Sequence, residues 1–321
     1  MKILIAGGAG YIGSVLVPKL QTLGYKVNVL DLFWFGNHLP EETGVVHKDI
    51  FHVEESDVMG YDVVIFLAGL SNDPMAEFSP GMNFISNAAA PAYLAYTSKK
   101  AGVRKFIYAG SCSVYGYTVN EFFDEDSPTV SDYPYGISKL QGERAVMQLA
   151  DYGFSAITLR QGTVCGYSPR MRLDLVVNTM FKTSVLGNQI IVNNPLIWRP
   201  VLAISDAVEA YIQSINADPD ISGIFNVASG NYTVGEIAEY VKEEVGKIMK
   251  LDISINTKNI DDKRNYKVSC QRAKDILKFI PKNNIKTIVD NLHENMDRFR
   301  DFDNPNYYNI EVFKKLKVDL I

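Results

Sequence analysis

Two tyrosine–lysine pairs have a spacing that could support acid–base chemistry on an alcohol, Tyr96 with Lys100 and Tyr135 with Lys139. Residues four apart in a helix lie on the same face, so each ammonium could act on the tyrosine beside it. An unperturbed tyrosine has a pKa near ~10 and becomes a useful base near neutral pH only when positive charge lowers that pKa. The spacing alone decides nothing, because either pair could also be a solvated surface pair.

The residues around the two pairs favour Tyr135. It follows Ser131-Asp132-Tyr133-Pro134, which is typical of a helix start, whereas Tyr96 lies in the middle of a predicted helix between Ala88 and Lys100. A tyrosine in a first helical turn feels the positive end of the helix dipole, and Lys139 lies one turn further on. We expect both effects to favour the phenolate form, and we predict Tyr135 and Lys139 as catalytic residues.

A hydroxyl that could complete this site is Ser111, which follows an apolar run. The run Phe106-Ile107-Tyr108-Ala109 predicts a buried strand, and ligands bind at the carboxyl ends of strands in open α/β sheets. Ser111 could hydrogen-bond a substrate hydroxyl while Tyr135 removes its proton and the carbon-bound hydrogen leaves as hydride. That reaction is alcohol oxidation. The alternative is that Ser111 only caps the loop after its strand.

The hydride needs an acceptor, and the start of the chain has a turn that could bind one. Ile3-Leu4-Ile5-Ala6 predicts a strand that leads into Gly7, Gly10 and Gly13. In a dinucleotide-binding turn, such glycines allow a sharp exit from the strand, a close approach of backbone amides to a pyrophosphate, and close packing of the next helix. Asp31 ends the next predicted strand, where a carboxylate accepts from a ribose 2′-hydroxyl and repels a 2′-phosphate. We therefore predict NAD, whose oxidised nicotinamide would add positive charge beside the catalytic tyrosine; the alternative for Asp31 is a turn former.

Apolar runs of strand length alternate with helical stretches, which predicts an α/β fold with a doubly wound parallel (Rossmann) sheet of about seven strands. The runs are Ile3–Ala6, Val27–Leu30, Val45-Val46, Val63–Leu67, Phe106–Ala109, Ala156–Leu159 and Ile224–Val227. From about Gly166 the pattern loosens, and we predict a smaller mixed α/β domain for the substrate there. The predicted NAD-binding domain spans residues 1–165, with about 203–228 returning to it, and the predicted substrate domain spans 166–202 and 229–321.

The composition excludes several classes of protein. A net charge of −5 and a pI near 5.5 argue against partners such as nucleic acid or an anionic membrane, since both need an excess of basic residues. The N-terminus lacks the pattern of a secretion signal, and no run of about 18 apolar residues predicts a membrane span. Three cysteines far apart in sequence fit a reducing compartment, so we expect a cytoplasmic protein. The four histidines lack metal-ligand spacing, and we expect neither a metal nor histidine-based catalysis.

Taken together, these residues resemble the extended short-chain dehydrogenases/reductases, and more closely the nucleotide-sugar epimerase/dehydratase branch of that family. The resemblance runs from residue 1 to about 280. It is carried by Gly7-Gly8-Ala9-Gly10-Tyr11-Ile12-Gly13, Asp31, Asp49-Ile50, Ala68-Gly69, Asn87, Ser111-Cys112-Ser113-Val114-Tyr115-Gly116 and Tyr135 to Lys139. Each motif is weak by itself, whereas the combination is highly specific.

The resemblance implies a fuller set of NAD-binding residues. Asp49-Ile50 would contact the adenine, Ala68-Gly69 would line the pyrophosphate and nicotinamide ribose, and Asn87 would help to order the tyrosine–lysine pair. The residues themselves leave alternatives open, since Asp49 could be a turn residue and Asn87 could be the N-cap of a helix that begins at Ala88. The complete predicted set is Gly7, Gly10, Tyr11, Ile12, Gly13, Asp31, Asp49, Ile50, Ala68, Gly69, Asn87, Tyr135 and Lys139.

The chain also departs from the pattern of the family. Ser111 matches the family's catalytic Ser/Thr, but dehydratases of this branch then carry Asp-Glu to eliminate water, and this chain has Cys112 and Ser113 there. We therefore do not expect dehydration. Cys112 could act as an acid near the sugar or be a small buried core residue. Thr163 stands where many epimerases have an Asn that contacts the diphosphate, and Asp174 stands near another such Asn, so the substrate is left open.

Arginines are the predicted ligands of the substrate diphosphate, because a guanidinium matches phosphate oxygens with two donors. Arg199, in Trp198-Arg199-Pro200, and Arg264, in Asp262-Lys263-Arg264-Asn265-Tyr266, resemble arginine motifs of the family. Arg170 and Arg172 lie in the presumed substrate region. Any of them could instead be a solvated surface residue. The predicted substrate-binding set is Ser111, Cys112, Ser113, Thr163, Arg170, Arg172, Arg199 and Arg264.

The resemblance and the complete set of Ser111, Tyr135 and Lys139 predict NAD-dependent chemistry at C4 of a nucleotide-diphosphate sugar, as a 4-epimerase that passes through a 4-keto intermediate. A C4 dehydrogenase or 4-keto reductase with the same site is the alternative, and a non-catalytic NAD-binding scaffold is a third hypothesis. Apolar positions in residues 87–101 and 135–150 predict a homodimer with a four-helix contact.

Overall fold

Strands and helices alternate along the first half of the chain. The structure, a computed structural model, describes residues 1–258 and 264–316. The strands are β1 Lys2–Ala6, β2 Lys26–Asp31, β3 Gly44–His47, β4 Val63–Phe66, β5 Lys105–Ser111, β6 Tyr117–Phe123, β7 Ser155–Gln161, β8 Thr163–Cys165, β9 Gln189–Asn193, β10 Trp198–Ala203, β11 Gly223–Val227, β12 Gly230–Thr233, β13 Ser254–Lys258 and β14 Asn265–Val268. The helices are α1 Gly13–Thr22, α2 Glu55–Val58, α3 Asp73–Phe78, α4 Pro80–Phe84, α5 Ala90–Lys100, α6 Pro134–Met147, α7 Val176–Gly187, α8 Ile204–Asn216, α9 Val234–Met249, α10 Ile285–Glu294 and α11 Asn309–Lys315.

A parallel sheet forms the centre of the molecule. Within the described residues it has seven strands in the order β3-β2-β1-β4-β5-β7-β11, and all its neighbouring strands run parallel. Every residue of β4 and of β7 is buried, as expected for a sheet that is covered on both faces. The predicted doubly wound sheet of about seven strands is confirmed, including the late strand at Ile224–Val227, which returns as β11 beside β7.

Helices cover both faces of this sheet. On one face α1 and α8 pack against the strands through residues such as Leu16 and Tyr211. On the other face α5 and α6 contribute Leu94 and Val146 to a second apolar cluster. Burial of these side chains supplies the main favourable term for the layered arrangement.

Three smaller sheets are built mostly from the second half of the chain, with β6 as a member from the first half. Strands β8, β10 and β12 form one sheet, β9 pairs with β13, and β6 pairs with β14. Helices α7, α9 and α10 pack together around a further apolar cluster that includes Phe181, Val241 and Val289. The domain boundaries at residues 165 and 166 stay a prediction. Among the residues that the structure describes, no helix is long and apolar enough to cross a bilayer.

Candidate active site

A cavity of about 790 Å³ opens at the carboxyl ends of the central strands. Its lining includes Gly7 after β1, Leu32 after β2, Leu67 after β4, Ser111 at the end of β5 and Gly162 after β7. The order of strands reverses between β1 and β4, and ligands of open α/β sheets bind outside that point. Most of the predicted site residues line this one cavity: Gly7, Gly10, Tyr11, Ile12, Gly13, Asp31, Asp49, Ile50, Ala68, Gly69, Ser111, Ser113, Tyr135, Lys139, Thr163, Arg170, Arg172, Arg199 and Arg264.

The glycine turn after β1 is tight at the place where the sheet reverses its order. Gly7 has φ +81°, and a Cβ on it would lie 2.4 Å from the backbone nitrogen of Ala68, so a side chain fits neither the conformation nor the space. A Cβ on Gly13 would lie 2.2 Å from the carbonyl oxygen of Gly8, which explains the close start of α1. The backbone amides of this turn are therefore brought to the cavity wall.

Asp31 and Asp49 mark one end of the cavity. The two carboxylate oxygens of Asp31 accept the backbone N–H groups of Ala9 at 2.9 Å and Phe33 at 2.7 Å, and burial raises the pKa of this carboxyl. Asp31 is therefore both a turn residue and a cavity residue. Asp49 caps the short 3-10 turn Ile50–His52 by accepting the N–H of Phe51 at 2.9 Å, which matches the turn alternative, and its contact with adenine stays a prediction.

Ser111, Tyr135 and Lys139 lie together on the cavity wall. Tyr135 is the second residue of α6, as the sequence predicts, and the Ser111 side chain is among the groups that lower the pKa of its phenol. Lys139 lies one turn further along α6, with its Nζ 5.9 Å from the centre of the Tyr135 ring. The other pair is a surface pair, because Tyr96 is 54% exposed and Lys100 forms an exposed ion pair with another side chain.

The electrostatics of this group differ from the expectation that Lys139 and the helix start favour the phenolate. Burial raises the pKa of Tyr135 to about 12, and the opposing contributions come from the Ser111 hydrogen bond and the Arg172 charge. Burial also lowers the pKa of Lys139 to about 7, and the Nζ donates to the carbonyl of Ala109 at 3.0 Å rather than to the phenol. Burial of both groups therefore opposes the predicted phenolate, and the catalytic roles of Tyr135 and Lys139 stay predictions.

Asn87 lies behind the cavity wall rather than in it. It belongs to a π-helical turn, Ile85–Ala89, that joins α4 to α5, so its alternative role as an N-cap is wrong. Its Nδ2 donates to the carbonyl of Leu70 at 2.9 Å and also reaches Asn83 and Ser138. A Cβ on Gly69 would lie 2.4 Å from Asn87 Oδ1 and 2.8 Å from Lys139 Nζ, so both groups pack closely against this glycine of the cavity wall.

The four predicted arginines all reach the cavity, and three of them contact partners near its substrate end. Arg264 forms an ion pair with Asp73, and Arg199 donates to the backbone carbonyl of Arg264. Arg172 contacts Asp174 through two hydrogen bonds of 2.8 and 3.0 Å, and although burial opposes it, this guanidinium lowers the pKa of Asp174. None of these three is a solvated surface residue. Of the predicted arginine motif, Asp262 and Lys263 lie outside the described residues.

Cys112 does not line the cavity. Its side chain is 1% exposed, it packs in a small core with Val114 and Tyr115, and its thiol donates to the carbonyl of Arg160 at 3.1 Å. Burial raises the pKa of this thiol, which leaves it a poor acid. The assignment of Cys112 to the substrate set is therefore wrong, and the core alternative is right. Ser113 does line the cavity, and its hydroxyl donates to Ser111 Oγ at 2.9 Å.

The cavity has further polar residues that the sequence analysis missed. Ser71, Asn72 and Asp73 follow β4 and line the cavity, and their position after a buried strand was a usable sign. Phe35, in the loop after β2, and Asn309, at the start of α11, also line it. Nothing in the sequence connects Asn309 to a site that is built mostly from the first half of the chain.

Comparison with known proteins agrees with the family resemblance found in the sequence. Residues 3–228 match the model of the NAD dependent epimerase/dehydratase family. The chain is 25% identical over 311 residues to a UDP-glucose 4-epimerase of Corynebacterium glutamicum, and the match covers 90% of this chain and 94% of that protein.

Solved structures agree with the sequence matches. The UDP-glucose 4-epimerase of Thermotoga maritima, solved with UDP-glucose, superposes with a TM-score of 0.82 at 25% identity, covering 92% of this chain and 100% of the other. MoeE5, solved with UDP-glucuronic acid and NAD, has the same fold, with a TM-score of 0.81 at 23% identity and coverage of 93% and 99%.

Proposed function

Because the chain belongs to the NAD dependent epimerase/dehydratase family, we propose that it is a 4-epimerase, which inverts C4 of a nucleotide-diphosphate sugar through a 4-keto intermediate. The coarser statement, an NAD-dependent enzyme that modifies nucleotide sugars, follows from the family and its relatives. The observation that carries the finer proposal is that Ser111, Tyr135 and Lys139 line the same large cavity, with the Lys139 Nζ 5.9 Å from the centre of the Tyr135 ring.

The residues along the cavity fit NAD. Gly7 and Gly13 leave room for the backbone where a Cβ would collide with it, and they bring the amides of the turn to the cavity. Asp31 offers a carboxylate where a ribose hydroxyl needs an acceptor. The cavity continues from Asp49 past this acid to Ser111, which suits an elongated dinucleotide. When bound, NAD supplies a two-electron acceptor that can return the hydride it takes.

The side chains of this protein would handle the proton. Tyr135 takes the proton of the C4 hydroxyl, and Ser111 donates a hydrogen bond to the same oxygen, which holds it against the phenol. Lys139 lies beside the phenol and favours its ionised form whenever its own ammonium is charged. The ketone rotates within the cavity and would take the hydride back on the opposite face of C4, which inverts that carbon. Tyr135 returns the proton to the C4 oxygen.

The residues near the presumed sugar support epimerisation over elimination. A dehydratase of this family needs Asp-Glu after its catalytic Ser/Thr, and Cys112 and Ser113 carry no carboxylate. At the other end, Arg199 and Arg264 supply guanidinium groups that suit a diphosphate. Arg264 contacts Asp73 in this structure, and we propose that the substrate diphosphate replaces this partner.

The homodimer also stays a proposal. Exposed apolar side chains on the helices that would meet, Tyr96 on α5 and Ile137 on α6, are 54% and 41% exposed and support a contact between copies of the chain. Sedimentation equilibrium checks the dimer directly, and a chain that is monomeric at micromolar concentration contradicts it.

One experiment tests the function. Purified protein is incubated with UDP-, GDP-, dTDP- and CDP-sugars and a small amount of NAD, and products are identified by NMR from the couplings of the sugar H4. We expect inversion at C4 for one class of substrate with no net change in absorbance at 340 nm. Stoichiometric NAD reduction with a released ketone would favour the dehydrogenase alternative, and no conversion of any substrate would reject the C4 proposal.

A further inference from the structure

The loop after β8 packs directly on the glycine turn. Ser168 donates from its hydroxyl to the carbonyl of Tyr11 at 2.7 Å, and the Tyr11 hydroxyl donates to the carbonyl of Gly166 at 2.5 Å. Both tyrosine and serine are buried. This loop therefore lies against the backbone that faces the pyrophosphate in a dinucleotide-binding turn, although it belongs to the predicted substrate domain.

Arg170 follows in the same loop and lies at the dinucleotide end of the cavity. Its side chain is 3% exposed, and its Cζ lies 3.7 Å from the centre of the Phe35 ring, four residues after the ribose-binding Asp31. Its Nη2 donates to Oδ1 of Asn309 at the start of α11. The guanidinium is thus held by an aromatic face on one side and an amide on the other.

Arg170 differs from the neighbouring arginines of the cavity in the partners of its charge. Arg172 is paired with Asp174 and Arg264 with Asp73, whereas no carboxylate of the described residues forms an ion pair with Arg170. Its Nε is buried and donates to no acceptor within the part of the chain that the structure describes. Burial and the nearby Arg172 lower the pKa of Arg170 to about 9. An anion beside the guanidinium would stabilise its charged form and offset this unfavourable burial.

We propose that Arg170 is a cofactor residue rather than a substrate residue, and that its guanidinium binds the pyrophosphate of NAD from the side opposite the glycine turn. This inference rests on the proposed NAD-dependent function. It accounts for three observations together: the loop packed on Tyr11, the stacking on Phe35 and the buried, unpaired Nε. It also corrects the placement of Arg170 among the predicted ligands of the substrate.

The proposal makes the C-terminal helix α11 part of the cofactor site. Asn309 accepts from Arg170 and donates from its Nδ2 to Ser71 Oγ at 2.8 Å, so it connects the arginine to the loop after β4. Phe313, on the same helix, packs 5.8 Å from Trp34 in the loop before Phe35. The helix therefore fixes the direction in which Arg170 points.

The test is calorimetric titration of nucleotide-free protein with NAD and, separately, with UDP. Arg170→Met should weaken NAD binding by about 10- to 100-fold, the effect of losing one charged hydrogen-bonding group, and should change the UDP affinity by less than about 2-fold. Arg170→Lys should have an NAD affinity between those of the wild type and Arg170→Met, since an ammonium keeps the charge but loses the planar donors. Arg300→Met removes an exposed arginine of an i,i+3 pair and should change neither affinity.

Asn309→Ala covers the possibility that Arg170→Met does not fold. This variant keeps the Arg170 guanidinium and removes the Asn309 amide that accepts its hydrogen bond. NAD binding should therefore weaken by about 3- to 10-fold with little change in the UDP affinity. If the folded Arg170 and Asn309 variants bind NAD as tightly as the wild type, this inference is overturned and the proposed function is left intact. Loss of UDP binding with unchanged NAD binding also overturns it, and wild-type protein that binds no NAD overturns both.

Discussion

Glu143 and Arg160 form a buried ion pair that joins helix α6 to the central sheet. Arg160 donates from Nε at 2.8 Å and from Nη2 at 2.6 Å to the two oxygens of Glu143, and both side chains are at most 3% exposed. Burial alone would lower the pKa of Arg160, but the Glu143 carboxylate raises it, so the guanidinium stays charged. Because Glu143 lies two turns after Tyr135 on α6, this pair fixes the position of the helix that carries Tyr135, the proposed proton acceptor.

Replacing the acid of this pair should destabilise the whole domain. Glu143→Gln leaves the Arg160 charge buried without a counter-ion, and we expect the free energy of unfolding to fall by about 3–5 kcal/mol, measured by urea denaturation. The matched control is Asp151→Asn, which breaks an exposed ion pair with Lys99 and should change the free energy of unfolding far less than Glu143→Gln does. Equal losses in the two variants would contradict a structural role for the buried pair.

Replacing the phenol that we propose as the proton acceptor should stop turnover and leave NAD binding intact. Tyr135→Phe removes the proton acceptor, and kcat should fall by about 10²- to 10⁴-fold while the affinity for NAD stays within a factor of about two. The control is Tyr96→Phe, which makes the same change in the other tyrosine–lysine pair and should keep full activity. Steady-state kinetics on the epimerised sugar and calorimetry with NAD measure both. An active Tyr135→Phe enzyme would remove the proposed mechanism.

Gly69 should be required for the position of Lys139 rather than for folding. A Cβ at this residue would lie 2.8 Å from Lys139 Nζ and 2.4 Å from Asn87 Oδ1, so Gly69→Ala must displace one of them. We expect kcat to fall by about 10-fold or more, since displacements of about 1 Å at a catalytic group can cost that much. Gly187→Ala is the control, because the nearest atoms to its Cβ would be 3.5 Å away. Comparable kcat values for the two variants would show that Lys139 tolerates the displacement.

Much of the architecture could be predicted because it depends on local pattern. Continuous apolar runs such as Val63–Phe66 are typical of strands covered on both faces, and Pro134 before Tyr135 is typical of the start of a helix. The turn after β1 could also be predicted from local pattern, since the backbone at Gly7 needs a positive φ that residues other than glycine rarely adopt.

The rest could not be predicted, because it depends on which distant residues meet. Cys112 follows a site serine in sequence, yet the short turn after β5 directs its thiol into the core. Asn309 reaches Arg170 across 139 residues, and no periodicity reports such a contact. The pKa values of Tyr135 and Lys139 follow the amount of water removed around them, which spacing in a helix does not reveal.

Lys139 should give the protein a pH-dependent stability that can be measured. Burial lowers the pKa of Lys139 to about 7 in the folded protein, whereas an unfolded lysine keeps a pKa near ~10.4. Between these values the unfolded chain binds a proton that the folded chain does not, so the free energy of unfolding should rise with pH. The rise has an upper limit of about 1.4 kcal/mol per pH unit, and it should vanish below pH ~7, where both states are protonated.

The measurement compares wild-type protein with Lys139→Met by urea denaturation at several pH values from 6 to 9.5, so that the titrations common to both proteins cancel. The stability of the wild type relative to the variant should increase steadily above neutral pH. Lys100→Met provides the control, since Lys100 lies at the surface with a pKa that the Glu55 hydrogen bond raises, and its removal should leave the slope of the wild type unchanged. A constant difference between wild type and Lys139→Met across this range would mean that Lys139 keeps its proton in the folded protein, against the desolvation argument.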